Sequence, residues 1–135
     1  MQTLESLEAV LKPLLPGLIG VRLREAGQDR VVATMVVRQD LCTTGEVLHG
    51  GAMMAFADTL GAIGTFQNLP SGARTTTIDS STKFIASAAL GTTVVGECVA
   101  FHRGRTTMVW QTMIKSEGGK LCAVVTQTQL ILPSA

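Results

Sequence analysis

The chain has 135 residues, of which 46% are hydrophobic and 16% charged, with eleven basic side chains against ten acidic. That length suits one domain, residues 1–135, with a sizeable core, and the apolar share excludes a disordered chain. A net charge of +1 argues against nucleic acid as a main partner, because no basic excess is present to neutralise phosphates.

So small a charged share, against roughly 25% in an average soluble protein, predicts that self-association hides further surface. No run reaches the ~18 apolar residues of a membrane span. The N-terminus MQTLESLEAVLKPLLPG carries acids near its start and two prolines, so it does not read as a signal peptide. A cytoplasmic protein with no membrane partner is expected. Cys42, Cys98 and Cys122 are too few and too widely spaced for a disulfide framework or a zinc site. Reduced thiols and no metal site are expected.

In chain order, Leu4, Leu7, Val10, Leu11 and Leu14 form one helical stripe behind the N-cap candidate Thr3. This N-terminal helix, within residues 1–16, should be ended by Pro13 and Pro16. Ile19, Val21 and Leu23 alternate with Gly20, Arg22 and Arg24 as in a strand. Gln28-Asp29 is a turn, and Val31 to Val37 reads as a second strand. Residues 41–49 form a loop. From Gly50 to about Leu69 the chain is helical and apolar nearly all round, so this helix must be buried on most of its surface. Residues 74–86, 92–102, 105–116 and 120–132 read as strands, with tight turns at Arg103-Gly104 and Glu117-Gly118-Gly119. Short turns favour antiparallel pairing. The expected class is α+β, an antiparallel sheet of five or six strands wrapped round one long helix. Trp110 and Phe101 are expected in the core; Met53, Met54 and Phe56 in the core or a subunit interface.

Chemistry concentrates in Leu48-His49-Gly50-Gly51 and the helix that follows. Two glycines at a helix start let a ligand approach bare N–H donors at the positive end of the helix dipole, which suits an oxyanion or a polarised carbonyl. The same pair also reads as a plain turn. Asp58 is the one carboxylate in an apolar helix, and burying it without a partner is costly. It therefore has a task or a hidden partner, or else it faces solvent or caps a neighbouring backbone N–H. Gly50 and Asp58 are eight residues, or ~12 Å, apart along a helix, whereas a reacting carbonyl needs donor and attacking group each within about 3 Å. Two antiparallel copies of the helix would meet that need, so a catalytic reading predicts a dimer with shared sites. Arg103 and Arg105 gather two guanidiniums at a hairpin, suited to phosphate or simply to solvent. Lys83 and Arg74 are further basic candidates.

The stretch LHGGAMMAFADTLGAIGT, set within its β-α-β-β-β-β order, resembles the hotdog-fold acyl-CoA thioesterases. The nearest branch is the phenylacetate-degradation type, related to the 4-hydroxybenzoyl-CoA thioesterases. The resemblance runs from about residue 17 to residue 132 and implies a hotdog fold. It also implies hydrolysis of an acyl- or aryl-CoA thioester without a separate cofactor, CoA being part of the substrate. It maps oxyanion stabilisation to Gly50, attack or water activation to Asp58 of the facing subunit, and orientation of the thioester to His49. It implies that Thr77 holds the water and that Thr43 stands where many members carry Asn or Gln. Gly51, Arg103, Arg105 and Lys83 are the implied CoA contacts. Ala62 stands where some relatives have Ser or Thr. A dimer or tetramer is implied. Two other readings are a hotdog module that binds acyl-CoA without turnover, and a hydratase or dehydratase, whose His–acid spacing differs from the one here.

Overall fold

The structure, a computed structural model, describes residues 1–134. Helix α1 spans Leu4–Leu11. Thr3 caps it, accepting the Ser6 N–H on its hydroxyl at 3.1 Å. Pro13 breaks the helix before Leu15, earlier than the leucine stripe suggests. Pro16 does not end a helix; it lies in the first turn of a second short one, α2 (Leu15–Leu18), where a missing N–H costs nothing.

Strands β1 (Arg22–Ala26) and β2 (Arg30–Val36) follow. The expected loop at 41–49 holds a small two-stranded ribbon, β3 (Cys42–Thr43) with β4 (Val47–Leu48). It reverses through Gly45 at φ 87°, a left-handed conformation that glycine adopts without strain. Helix α3 spans Gly50–Phe66. Then come β5 (Arg74–Phe84), β6 (Thr93–Arg103), β7 (Thr107–Lys115) and β8 (Leu121–Leu132).

Six strands form one antiparallel sheet in the order β1-β2-β6-β7-β8-β5. Helix α3 lies across its inner face. Phe56, Leu60 and Ile63 from the helix pack with Trp110, Ile114, Val94 and Val125 from the strands, all buried; each such side chain contributes roughly 1.5–3 kcal/mol by leaving water. The strand after the helix does not join its chain neighbours β6 and β7. It pairs with the last strand, β8, and so becomes one edge of the sheet.

One sequence expectation changes on the sheet, and one departure from strict alternation matters beside it. Phe101 is not in the core; it is 60% exposed, because Cys98 and Ala100 take the inward places on β6 and alternation turns Phe101 outward. Asp79, two residues after Thr77, does not share its face. The register between β5 and β8 shifts at Ile78, so Thr77 pairs with Gln129 while Asp79 pairs with Thr128 on the outer face.

Candidate active site

The start of α3 is organised by His49. Its backbone is extended and its Nδ1 accepts the Gly51 N–H at 2.8 Å. An accepting Nδ1 carries no proton, so the neutral ring holds its proton on Nε2. The Gly51 N–H is thereby used within the chain. The Gly50 N–H is a different matter: it is the first of the donors that a helix start leaves without a partner, and it finds no acceptor among the described residues. A Cβ at Gly50 would lie 3.0 Å from the Phe84 ring, so the ring closes directly over the glycine. Gly50 lines a shallow cleft with Leu48, Met53 and Phe84 to Ser87.

Asp58 lies eight residues along α3 and is half-buried. Thr77 donates its hydroxyl to Asp58 Oδ1 at 2.6 Å. Gln127 Nε2 donates to the same oxygen at 3.2 Å and to the Asp58 backbone carbonyl at 3.3 Å. Gln129 Nε2 in turn donates to Thr77 at 2.6 Å. Asp58 therefore has the hidden partners that its apolar surroundings demanded. On its other side it opens onto an apolar groove between α3 and the α1–α2 segment, walled by Leu11, Leu15, Pro16, Ala62 and Phe66.

Of the residues singled out in the sequence, Asp58 and Thr77 are brought together, and so are His49, Gly50 and Gly51. Within one chain the two groups stay apart: the Gly50 cleft and the Asp58 groove share no lining residue. Thr43 is exposed on the β3–β4 ribbon and makes no hydrogen bond to either group. Arg103 donates to Asn68 at 3.3 Å, which places the Arg103–Arg105 hairpin at the far end of α3 from Gly50. Lys83 is exposed on the outer face of β5, opposite Val124.

Gln127 and Gln129 were not among the sequence candidates. A signal for them exists: they continue the inward alternation of Ala123 and Val125 along β8, and an amide at an inward place needs a reason. Cys98 is the opposite case. Burial pushes its thiol up to about 12, which leaves it a core residue with no nucleophilic character. Among the described residues no cluster of three or more His, Cys, Asp or Glu side chains could hold a metal.

The sequence profile of the Thioesterase superfamily matches residues 45–123, from the ribbon through α3 to the start of β8. The 1,4-dihydroxy-2-naphthoyl-CoA hydrolase of Escherichia coli K12 is 30% identical over 130 residues, covering 96% of this chain and 95% of its own. The proofreading thioesterase EntH of Cronobacter turicensis is 31% identical over 120 residues, covering 89% of this chain and 87% of its own. Among solved structures, a thioesterase from Haemophilus influenzae superposes with a TM-score of 0.91 at 28% identity, over 98% of this chain and 92% of that one. A profile match across more than half the chain, joined to relatives and a fold that agree over nearly all of it, leads to one conclusion: the chain belongs to the thioesterase superfamily, and it is a hotdog-fold thioester hydrolase.

Proposed function

We propose that the protein hydrolyses CoA thioesters of apolar acyl or aryl groups, with Asp58 of one protomer and the Gly50 N–H of its partner acting on the same carbonyl. The observation that carries this reading is Asp58 itself, a carboxylate anchored through one oxygen by Thr77 and Gln127 and open to an apolar groove. CoA as the thiol portion is supported by the name of the Escherichia coli relative. Sharing between protomers is supported by the ~12 Å of helix between Gly50 and Asp58 and by their separate clefts. A dimer is supported by β5, an 11-residue edge strand whose free backbone groups and exposed Ile78, Phe84 and Ile85 invite pairing. Three free cysteines suit a reducing, cytoplasmic setting.

In this mechanism the Gly50 N–H, aided by the positive end of α3, donates a hydrogen bond to the thioester oxygen and stabilises the charge that develops there. Asp58 either attacks the carbonyl carbon or takes a proton from the water that does. The C–S bond then breaks, CoA leaves as the thiolate, and water supplies the second oxygen of the free acid. Thr77 donates its hydroxyl to Asp58, so in this reading it holds the carboxylate, and its second oxygen lone pair remains free for the water that the resemblance implies.

The groove beyond Asp58 sets the acyl class. Its polar side chain other than Asp58 is Thr59, whose hydroxyl already donates to the Ala55 carbonyl at 2.8 Å. A hydroxylated acyl group would lose water there and find, beside Asp58, only the Thr59 oxygen lone pairs to bond, with no spare donor. Thiol release from hexanoyl-, benzoyl- and phenylacetyl-CoA should therefore exceed release from 4-hydroxybenzoyl-CoA by about 10-fold or more in kcat/KM. Asp58→Ala, assayed beside it, should lower kcat by ~10²–10⁴-fold while remaining folded. Wild-type turnover in that variant would remove Asp58 from the chemistry.

A further inference from the structure

Behind Asp58, two threonines and a glutamine form a chain of hydrogen bonds that runs in one direction. Thr77 has a single hydroxyl proton, and a carboxylate has none to give, so the 2.6 Å contact with Asp58 Oδ1 uses the threonine proton. The group 2.6 Å away on the other side of Thr77 must then be a donor, and this assigns Nε2 of Gln129 to it. That assignment turns Gln129 Oε1 toward Thr75, whose hydroxyl lies 2.9 Å away and 3.0 Å from the Leu130 carbonyl. The second amide, Gln127, adds another donor to the same Oδ1.

Gln127 and Gln129 are both fully buried, on a strand whose other inward residues are apolar. Gln127 Oε1 has no hydrogen-bond partner among the described residues. A buried amide half unsatisfied is a standing cost, and the donors it supplies go to Asp58 alone. The helix also makes room for it: a Cβ on Gly61 would fall 2.3 Å from Gln127 Cδ. Two donors thus converge on Oδ1, while no donor among the described residues reaches Oδ2.

We infer that Gln127, Gln129 and Thr75 are positioning residues that pin Asp58 through Oδ1 and present Oδ2 as the oxygen that reacts. The inference rests on the catalytic role of Asp58 proposed above. Gln129 acts through Thr77, by holding in place the hydroxyl that donates to the carboxylate. Gln127 acts directly, by holding the same oxygen against rotation.

The test uses the CoA thioester that the wild type cleaves fastest among the hexanoyl, benzoyl and phenylacetyl compounds. Gln129→Met keeps the volume and removes the donor; it should lower kcat by about 10-fold or more and leave KM unchanged. Thr77→Val should do the same, and Thr77→Ser should restore most of the rate. The Gln129→Met, Thr77→Val double variant should be no slower than Thr77→Val alone, because the two residues act in series. A merely structural role predicts multiplied losses in the double variant instead, and that result would overturn the relay. So would wild-type kcat in Gln129→Met. Gly61→Ala is the second arm, for the case in which the buried methionine prevents folding. Its new methyl displaces only the tip of the Gln127 side chain, and alanine favours the helix, so the variant should stay folded and lose kcat; an unchanged kcat there counts against the inference. If Asp58→Ala is inactive while these variants are not, the relay alone is wrong. If Asp58→Ala is active, the catalytic reading fails with it.

Discussion

Trp110 reaches the middle of the inner face, with its ring against Gly64 and its Nε1–H donating to Thr65 Oγ1 at 2.9 Å; Thr65 in turn donates to the Gly61 carbonyl at 3.0 Å. A Cβ on Gly64 would sit 2.5 Å from the ring. A rigid, fully buried indole cannot step aside as the end of a glutamine can. Gly64→Ala should therefore destabilise the fold by about 1–3 kcal/mol through overpacking, although the same change favours an exposed helix by about 1 kcal/mol. Thermal unfolding followed by circular dichroism would check it, and a raised Tm would show that the indole relaxes freely. At this scale the types of the chemical residues were legible. Asp58 stood out because nothing else in its helix is charged, and Thr77 stood out by resemblance. What Thr77 does with its proton was not legible, because that depends on Gln129, 52 residues away.

The α1–α2 segment is an element whose position a local pattern leaves open. Its leucine stripe announces a helix but not where the helix docks. Glu8 decides part of that: its Oε1 accepts the Leu23 N–H at 2.8 Å, tying α1 to the edge strand β1 and satisfying a backbone donor there. Gln67 completes the attachment, accepting from Gln2 N–H at 2.9 Å and donating to the Gln2 and Ala26 carbonyls. Leu11 and Leu15 are thereby held as one wall of the groove beside Asp58. Glu8→Ala should cost about 1 kcal/mol and speed amide exchange at Leu23. In the proposed substrate site it should raise KM for apolar acyl groups more than it lowers kcat. An unchanged exchange rate at Leu23 would mean that α1 is held elsewhere. The bulge at Ile78 is the second such case: strict alternation along TTTID puts Asp79 beside Thr77, and one extra residue in the pairing puts it on the other face.

For the whole molecule, the proposed sharing of sites has an arithmetical consequence. Gly50→Pro removes the donor N–H at a helix position where proline is tolerated, and Asp58→Ala removes the carboxylate. Each homodimer should be inactive. Refolding the two variants together makes about half of the dimers mixed, each with one intact and one doubly defective site, so activity should return to about a quarter of wild type. Thiol release before and after co-refolding measures this; no recovery would place Gly50 and Asp58 in a single-chain site, or in none.

Local periodicity and composition determined much here by themselves. They showed the strands and the long apolar helix, and they set apart the glycine-tipped helix start and the lone acid, because each rests on residue type at short spacing. Only the tertiary structure decided the rest. That β5 lies beside β8, that Gln127 and Gln129 stand behind Asp58, and that Arg103 lies at the far end of α3 are all products of pairing between distant segments. The energy of such pairing lies in shared burial and hydrogen bonds across the sheet, which no stretch of sequence contains alone.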